Sequence, residues 1–383
     1  MSSDNCIREL PEEIGELIHL RYLDLSKNRE LERLPDSLGN LYNLQTLCLS
    51  RCLRIRALPE NTGNLINLRH LHTKGCDLEY LPRGIGRLAS LQTLNTCPVH
   101  HDSGPSEGLK LEDLGSLYQL QGSLLIQIKG NLKDTTSEAQ KARLWNKKLC
   151  TLGLWFPTLD KQSHVQVLEA LRPHQDLQTL VISGYGGTTA PSWMISLQNL
   201  RSLYLYTWDG CEFLPPLGKL PFLEKLYVEG MEKVKTVGDE FLGITGTQTS
   251  SSSSSVLFPK LKQLYFEGMD EWEQWEGISG GADEITIMPC LVEFTIEKCP
   301  KLMNLPLFLQ NTPLRTTSIS QCRRSIITPV WPDNCDVDIY RALEDPEIPN
   351  ITESRLETEI QMDSQSDEEI TMSPVETEKQ IES

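Results

Sequence analysis

The dipeptide Leu-Pro returns at Leu10-Pro11, Leu34-Pro35, Leu58-Pro59 and Leu81-Pro82, at intervals of 24, 24 and 23 residues, and a glycine follows four positions after each proline, at Gly15, Gly39, Gly63 and Gly86. Between these marks lies a second fixed element. It reads Leu20-x-x-Leu23-x-Leu25, Leu44-x-x-Leu47-x-Leu49, Leu68-x-x-Leu71-x-Thr73 and Leu91-x-x-Leu94-x-Thr96. Self-similarity at such a period marks a repeat array. At 383 residues the chain is also longer than one compact core normally supports, which leaves two domains or an elongated array. The repeat decides for the array.

In the Leu-x-Leu core, a period of two turns both leucines to one face of a short strand and the residues between them to the other. One repeat is too small to bury its own leucines, so they leave water only by stacking on the strands before and after. This predicts an α/β solenoid: a leucine-rich-repeat horseshoe with a parallel concave β-sheet and mostly irregular convex returns. At about 25 cal/mol per Å² of buried apolar surface, the stacked leucines supply the main stabilising term. A polar residue at Leu47 is expected to break the array locally.

Residues 10–99 form the regular repeats, after a short N-terminal segment at 1–9. Irregular repeats follow over 100–335, traced by Leu149-x-x-Leu152-x-Leu154, Leu177-x-x-Leu180-x-Ile182, Leu200-x-x-Leu203-x-Leu205, Leu223-x-x-Leu226-x-Val228, Leu261-x-x-Leu264-x-Phe266 and Leu291-x-x-Phe294-x-Ile296. Weaker units near Leu120 to Ile126 and near Leu314 to Ile319 bring the count to about twelve. Residues 245–255, with six consecutive serines, are expected to be a loop. Residues 340–383 are expected to be an acidic disordered tail, since thirteen of its residues are Asp or Glu and three are Lys or Arg. That net of −10 is most of the chain's −17.

No basic stripe offers itself to phosphates, so no nucleic-acid partner is expected. No apolar run of about 18 residues is present, so no membrane span is expected. The opening MSSDNCIREL lacks the form of a secretory signal, which predicts the cytosol or the nucleus. The eleven cysteines are then thiols. Asn28, Cys52, Cys76, Cys299 and Cys322 each follow the last core position of a strand by three residues, where a small buried side chain bonds the turn backbone.

Candidate chemistry is sparse. Glu271, Glu273 and Glu276 beside Trp272 and Trp275 could be taken for a carboxylate pair with sugar-stacking rings, but they are read as part of a structural segment instead. Cys97, His100 and His101 lack the fourth ligand of a structural zinc site. No cofactor, metal or catalytic residue is assigned, and the chain is read as a non-enzyme. A hydrolase would need a convergent polar constellation that is not found. The binding face follows from strand alternation: Tyr22, Asp24, His70, His72 and Lys74 on the early repeats, then Trp155, Tyr204, Tyr206, Tyr227, Glu229, Tyr265, Glu267, Glu293 and Glu297. Tyrosines gathered on an exposed face are what anchors of a protein interface look like.

Several later segments carry a more specific resemblance. They are Leu171-Arg172-Pro173-His174, Gly184-Tyr185-Gly186-Gly187 leading to Pro191-Ser192-Trp193, Leu214-Pro215-Pro216-Leu217-Gly218-Lys219-Leu220-Pro221 and Val237-Gly238-Asp239-Glu240-Phe241. Phe258-Pro259-x-Leu261, Met269-x-x-Trp272-Glu273-x-Trp275 and Cys299-Pro300-Lys301-Leu302 complete the set. In order and spacing these resemble the repeat region of plant intracellular disease-resistance proteins of the coiled-coil, nucleotide-binding, leucine-rich-repeat (NLR) class.

The resemblance implies a recognition module that binds a pathogen effector or a guarded host protein, with early repeats that pack on the nucleotide-binding (NB-ARC) domain of a full-length receptor. The coiled coil and NB-ARC domain are not in this sequence. Its only Gly-Lys pair, Gly218-Lys219, lacks the rest of a phosphate-binding loop. A fragment or truncated receptor is therefore the expectation. The rival is a stand-alone intracellular scaffold of the Ras-group repeat type, which the first four repeats would fit alone.

Overall fold

The computed structural model describes residues 7–100, 108–130, 132, 135–157, 161–244, 255–277, 285–323, 326–332 and 334–340. His101, nearly all of the Ser-rich stretch and the acidic segment from 341 lie outside the described residues. Strands β1 (Tyr22–Asp24), β2 (Thr46–Cys48), β3 (His70–His72) and β4 (Thr93–Leu94) form a first sheet in chain order. The next are β5 (Thr96–His100), β6 (Gln121–Lys129), β7 (Lys148–Trp155), β8 (Thr179–Ser183), β9 (Ser202–Tyr206) and β10 (Lys225–Glu229). They join β13 (Gln263–Glu267), β16 (Glu293–Glu297), β17 (Thr316–Ser320) and β18 (Asp336–Tyr340) in a ten-stranded sheet. The pairs β11 (Thr236–Val237) with β14 (Gln274–Trp275), and β12 (Ser255–Leu257) with β15 (Ile285–Ile287), stand apart from it.

All of these pairings are parallel, and the register is set by the core. Leu23, Leu47, Leu71 and Leu94 face one another across the first sheet. Leu152, Leu180, Leu203, Leu226, Leu264 and Phe294 do so across the second. Two residues on, Leu154, Ile182, Leu205, Val228, Phe266 and Ile296 form a second buried line. A one-residue slip would turn both lines out to water, so each strand locks the next. The ladder breaks at Asn95: Leu94 still pairs with Leu71, while Thr96 pairs with Leu125 on β6.

The prolines start the returns. Pro11, Pro35, Pro59 and Pro82 each precede a one-turn 3-10 helix, at Glu12–Glu16, Asp36–Asn40, Glu60–Asn64 and Arg83–Arg87. Their carbonyls accept the first bond of that turn, from Ile14, Leu38, Thr62 and Ile85 at 2.9–3.1 Å. Proline suits this place because it fixes φ and needs no partner for an N–H. The glycine four residues later lets successive turns touch: a Cβ on Gly39 would lie 2.5 Å from the Asn61 Cβ, and one on Gly15 2.7 Å from the Ser37 Cβ.

The turns leaving β1 and β2 are closed by side chains, from the same repeat or the next. Asn28 Nδ2 donates to the Leu25 carbonyl at 2.7 Å, Cys52 Sγ to the same carbonyl at 3.0 Å, and Cys76 Sγ to Leu49 at 2.9 Å. Cys299 is buried and bonds the Glu297 carbonyl. Burial pushes the Cys97 thiol up and holds Cys211 at about 12. These thiols pack and bond as structural groups; low-pKa reactivity is not their character.

The later repeats replace leucine by larger rings. Trp208, Trp272, Trp275, Phe241, Phe258 and Phe266 are all solvent-free, with Phe266 5.0 Å from Trp272 and edge-on to Trp275 at 5.4 Å. The two tryptophans beside Glu271, Glu273 and Glu276 are therefore core, and Glu271 pairs with Lys301. Lys147 is a further surprise, fully buried and donating to the Leu114 and Leu117 carbonyls at 2.7 and 2.9 Å. Those carbonyls end the 3-10 helix Leu111–Ser116, so the ammonium caps it.

Two predictions follow from this packing. Gly39→Ala lowers stability by about 1–3 kcal/mol in urea unfolding, because the contact is with backbone and Cβ atoms that cannot move aside. Burial, reinforced by Arg143, pushes Lys147 down to about 8. Between that value and the ordinary lysine pKa the unfolded chain binds the extra proton, so raising the pH stabilises the fold. From pH 7.5 to 9.5, wild type is expected to gain about 1–2 kcal/mol on Lys147→Met; an unchanged gap contradicts the assignment.

Candidate functional site

Alternation places the residues between core positions on the concave face, in rows that run across the strands. The middle row of the second sheet is Val181, Tyr204, Tyr227, Tyr265, Thr295 and Ser318. The row beside it is Ser183, Tyr206, Glu229, Glu267, Glu297 and Ser320. On the other flank run Thr179, Ser202, Lys225, Gln263, Glu293 and Thr316.

Four tyrosines meet here. Tyr227 and Tyr265 stack at 3.9 Å and 14°, Tyr204 and Tyr206 at 6.3 Å and 7°, and Tyr206 lies 5.7 Å from Tyr227. Parallel pairing brings identical positions close, so the rings cover one another. The expectation that all of them are exposed therefore needs correction: Tyr204 is 7% exposed and Tyr206 1%, whereas Tyr227 and Tyr265 are half-buried. Glu267 is also buried, at 6%; Glu229 and Glu297 are half-buried and Glu293 is exposed.

The row Glu229, Glu267 and Glu297 sets like charges side by side on neighbouring strands, which destabilises a sheet. Two groups relieve it. Lys298 Nζ lies 2.8 Å from Glu267, and that bond, outweighing partial burial, raises its pKa. The Tyr265 hydroxyl lies 2.7 Å from Glu267 and 3.0 Å from Glu297. Burial first, then its bonds to Tyr227 and Glu267, push the Tyr265 phenol up, so it remains a donor. At the strand starts charge alternates instead: Glu224 is flanked by Arg201 at 2.8 Å and Lys262 at 2.6 Å.

The early positions lie on the other sheet. Tyr22 is 58% exposed and bonds Asp24 at 3.4 Å. Asp24 accepts from Ser26, which holds its carboxyl below the usual range. His70 and His72 stack at 6.1 Å and bond Thr93 and Asn95 at 3.0 and 3.2 Å. Burial, then His72 and Arg69, depress the His70 pKa. Lys74 is half-buried in the turn after β3, and Trp155 half-buried at the end of β7.

Sequence reasoning missed Lys298, which follows Glu297 in a left-handed turn at φ 52°, and β18, which adds Asp336 and Asp338 in line with Glu293 and Thr295. Neither carries a leucine signature. Cys97 is buried and His100 Nε2 bonds the Glu79 carbonyl at 2.7 Å. Among the described residues no group of three or more His, Cys, Asp or Glu is placed to hold a metal ion. Nor is any helix among them long and apolar enough to cross a membrane.

The fold and its display rows are those of a leucine-rich-repeat protein: the model of the leucine-rich repeat region family matches residues 5–315, and the chain belongs to that family. Among curated proteins it is similar to a disease-resistance protein of Solanum bulbocastanum, RGA1, 45% identical over 61% of this chain and 24% of that one. It is also similar to the disease-resistance RPP13-like protein 1 of Arabidopsis thaliana, 34% identical over 53% of this chain and 20% of that one. The chain thus spans less than a quarter of the length of either relative. The likeness to plant disease-resistance proteins of the NLR class therefore stands. Among solved structures an internalin of Listeria monocytogenes matches with TM-score 0.48 and 16% identity, covering 87% of this chain and 83% of that one.

Tyr265→Phe removes the hydroxyl shared by two carboxylates. It is expected to cost about 1–2 kcal/mol of stability at low salt and less at high salt, read from unfolding curves at two ionic strengths.

Proposed function

We propose that this chain is the recognition surface of a plant intracellular immune receptor, working in the cytosol or nucleus without catalysis. Its later concave face binds a pathogen effector or a guarded host protein. In a full-length receptor the early repeats, with Tyr22, Asp24, His70, His72 and Lys74, pack on the NB-ARC domain and restrain the nucleotide switch. The observation that carries the reading is the unbroken run Glu229, Glu267, Glu297 beside four clustered tyrosines. A sheet selected for stability alone alternates its charges, as Arg201, Glu224 and Lys262 do; like charges kept together in register cost stability and serve a surface that meets something. Similarity to disease-resistance proteins supplies the immune context.

The burial of Tyr206 decides which variants test this. Truncating Tyr206 removes packing, so the informative change is Tyr227→Ala with Glu297→Lys. Expressed in leaf tissue challenged with a pathogen, this variant is expected to lose at least about tenfold of the partner captured by wild type, while a cooperative unfolding transition shows that it still folds. Equal capture by that variant, together with loss in a Glu12→Lys, Glu13→Lys control on the returns, would move the binding site off the concave face.

A further inference from the structure

Two thiols stand side by side just past the ends of β16 and β17. Glu297 and Ser320 are paired at the strand ends, and the next residues, Lys298 at φ 52° and Gln321 at φ 51°, take the same left-handed step. Lys298 N donates to the Ser320 carbonyl at 3.1 Å, so the two turns keep the register of the strands. Cys299 and Cys322 follow at equivalent places. Cys299 Sγ donates to the Glu297 carbonyl at 3.4 Å and Cys322 Sγ to the Ser320 carbonyl at 3.2 Å. Cys322 Sγ also reaches back to the Ile296 carbonyl at 4.0 Å, on the Cys299 side. The two side chains hydrogen-bond to each other. Neighbouring strands lie about 4.8 Å apart, and a disulfide needs Cα atoms about 4.4–6.8 Å apart, so the backbone already meets the requirement.

The pair is asymmetric. Cys299 has no exposed surface, whereas Cys322 is half-buried between exposed Gln321 and Arg323. Their mutual bond, joined by burial, pushes the Cys299 thiol up; the same bond, outweighing burial, holds the Cys322 thiol below its usual value. Cys322 thus differs from the inert thiols of the core: it has solvent access and thiolate character, with a second sulfur in contact behind it. We propose that Cys299 and Cys322 are a redox pair, closed to a disulfide by a peroxide, which ties the β16 turn to the β17 turn. This goes beyond the concave-face reading and does not depend on it.

The chemistry balances within the pair. The Cys322 thiolate attacks hydrogen peroxide, forming an S–O bond while the O–O bond breaks and hydroxide leaves. The Cys299 sulfur then attacks Cys322, the S–S bond forms, and the sulfenic hydroxyl departs with the Cys299 proton as water. Hydroxide takes up the proton that Cys322 first lost. Two thiols thereby give up two electrons and two protons, and one peroxide becomes two waters. A dithiol reverses the step.

The test uses the full chain, reduced and then exposed to equimolar hydrogen peroxide, with the remaining thiols alkylated before trypsin digestion. Mass spectrometry is expected to find Cys299–Lys301 joined to Thr316–Arg323, a link that dithiothreitol removes. Amide exchange in β17 slows at least about tenfold in the oxidised protein. That gain is absent from Cys322→Ser, whose cooperative unfolding shows that it folds. In Cys299→Ser the sulfenic acid meets no second sulfur, so dimedone labels Cys322 at least about fivefold more than in wild type. Wild-type Cys322 that stays reduced, or that takes up dimedone without the link, would overturn the inference. So would Cys322 linked to any other cysteine, or a Cys52–Cys76 link formed at the same rate, since those thiols share the place in the turn but are buried.

Discussion

A leucine in one of these strands leaves water only by touching its counterparts in the strands on either side. Leu203 lies between Leu180 and Leu226, and Leu205 between Ile182 and Val228. No repeat holds a core of its own, so stability spreads from neighbour to neighbour. The returns must keep the same pitch. That is why a glycine sits where successive 3-10 turns meet, and why Pro11, Pro35, Pro59 and Pro82 begin those turns at equivalent places.

The same lock orders the opposite face. Because the leucines fix register, Tyr204, Tyr227 and Tyr265 are held side by side, and so are Glu229, Glu267 and Glu297. The rings gain from this closeness and the carboxylates lose. Lys298 and the Tyr265 hydroxyl offset part of the repulsion. The surface therefore draws on stability that the core supplies, in a pattern with a clear polarity: clustered rings from β9 to β13 and carboxylates from β10 to β16.

Spacing alone made the strands legible, since Leu-x-Leu states both period and orientation, and the cysteines three residues later announced their place in the turn. The glycine after each proline was visible too, although its reason needed the contact with Asn61 or Ser37. Other features leave no such trace. Lys147 looks like any surface lysine, and only the fold brings the Leu114 and Leu117 carbonyls to it from 33 and 30 residues away. Strand β18 lacks leucines, its core-facing place being filled in register by Val337 opposite Thr317. Alternation put Tyr204 and Tyr206 on the display face, but it cannot say that neighbouring rings will cover them, because that depends on what stands at the same position one repeat away.

The central claim is that the core leucines of each strand hold the display rows of their neighbours in place. Amide exchange on Leu203→Ser tests it directly. Exchange in β8, β9 and β10 should rise together, with Tyr204, Tyr206 and Tyr227 losing their order, while β1, β2 and β3 keep wild-type protection. Faster exchange confined to β9, or loss of protection along the whole chain at once, would contradict a solenoid held by contacts between neighbours.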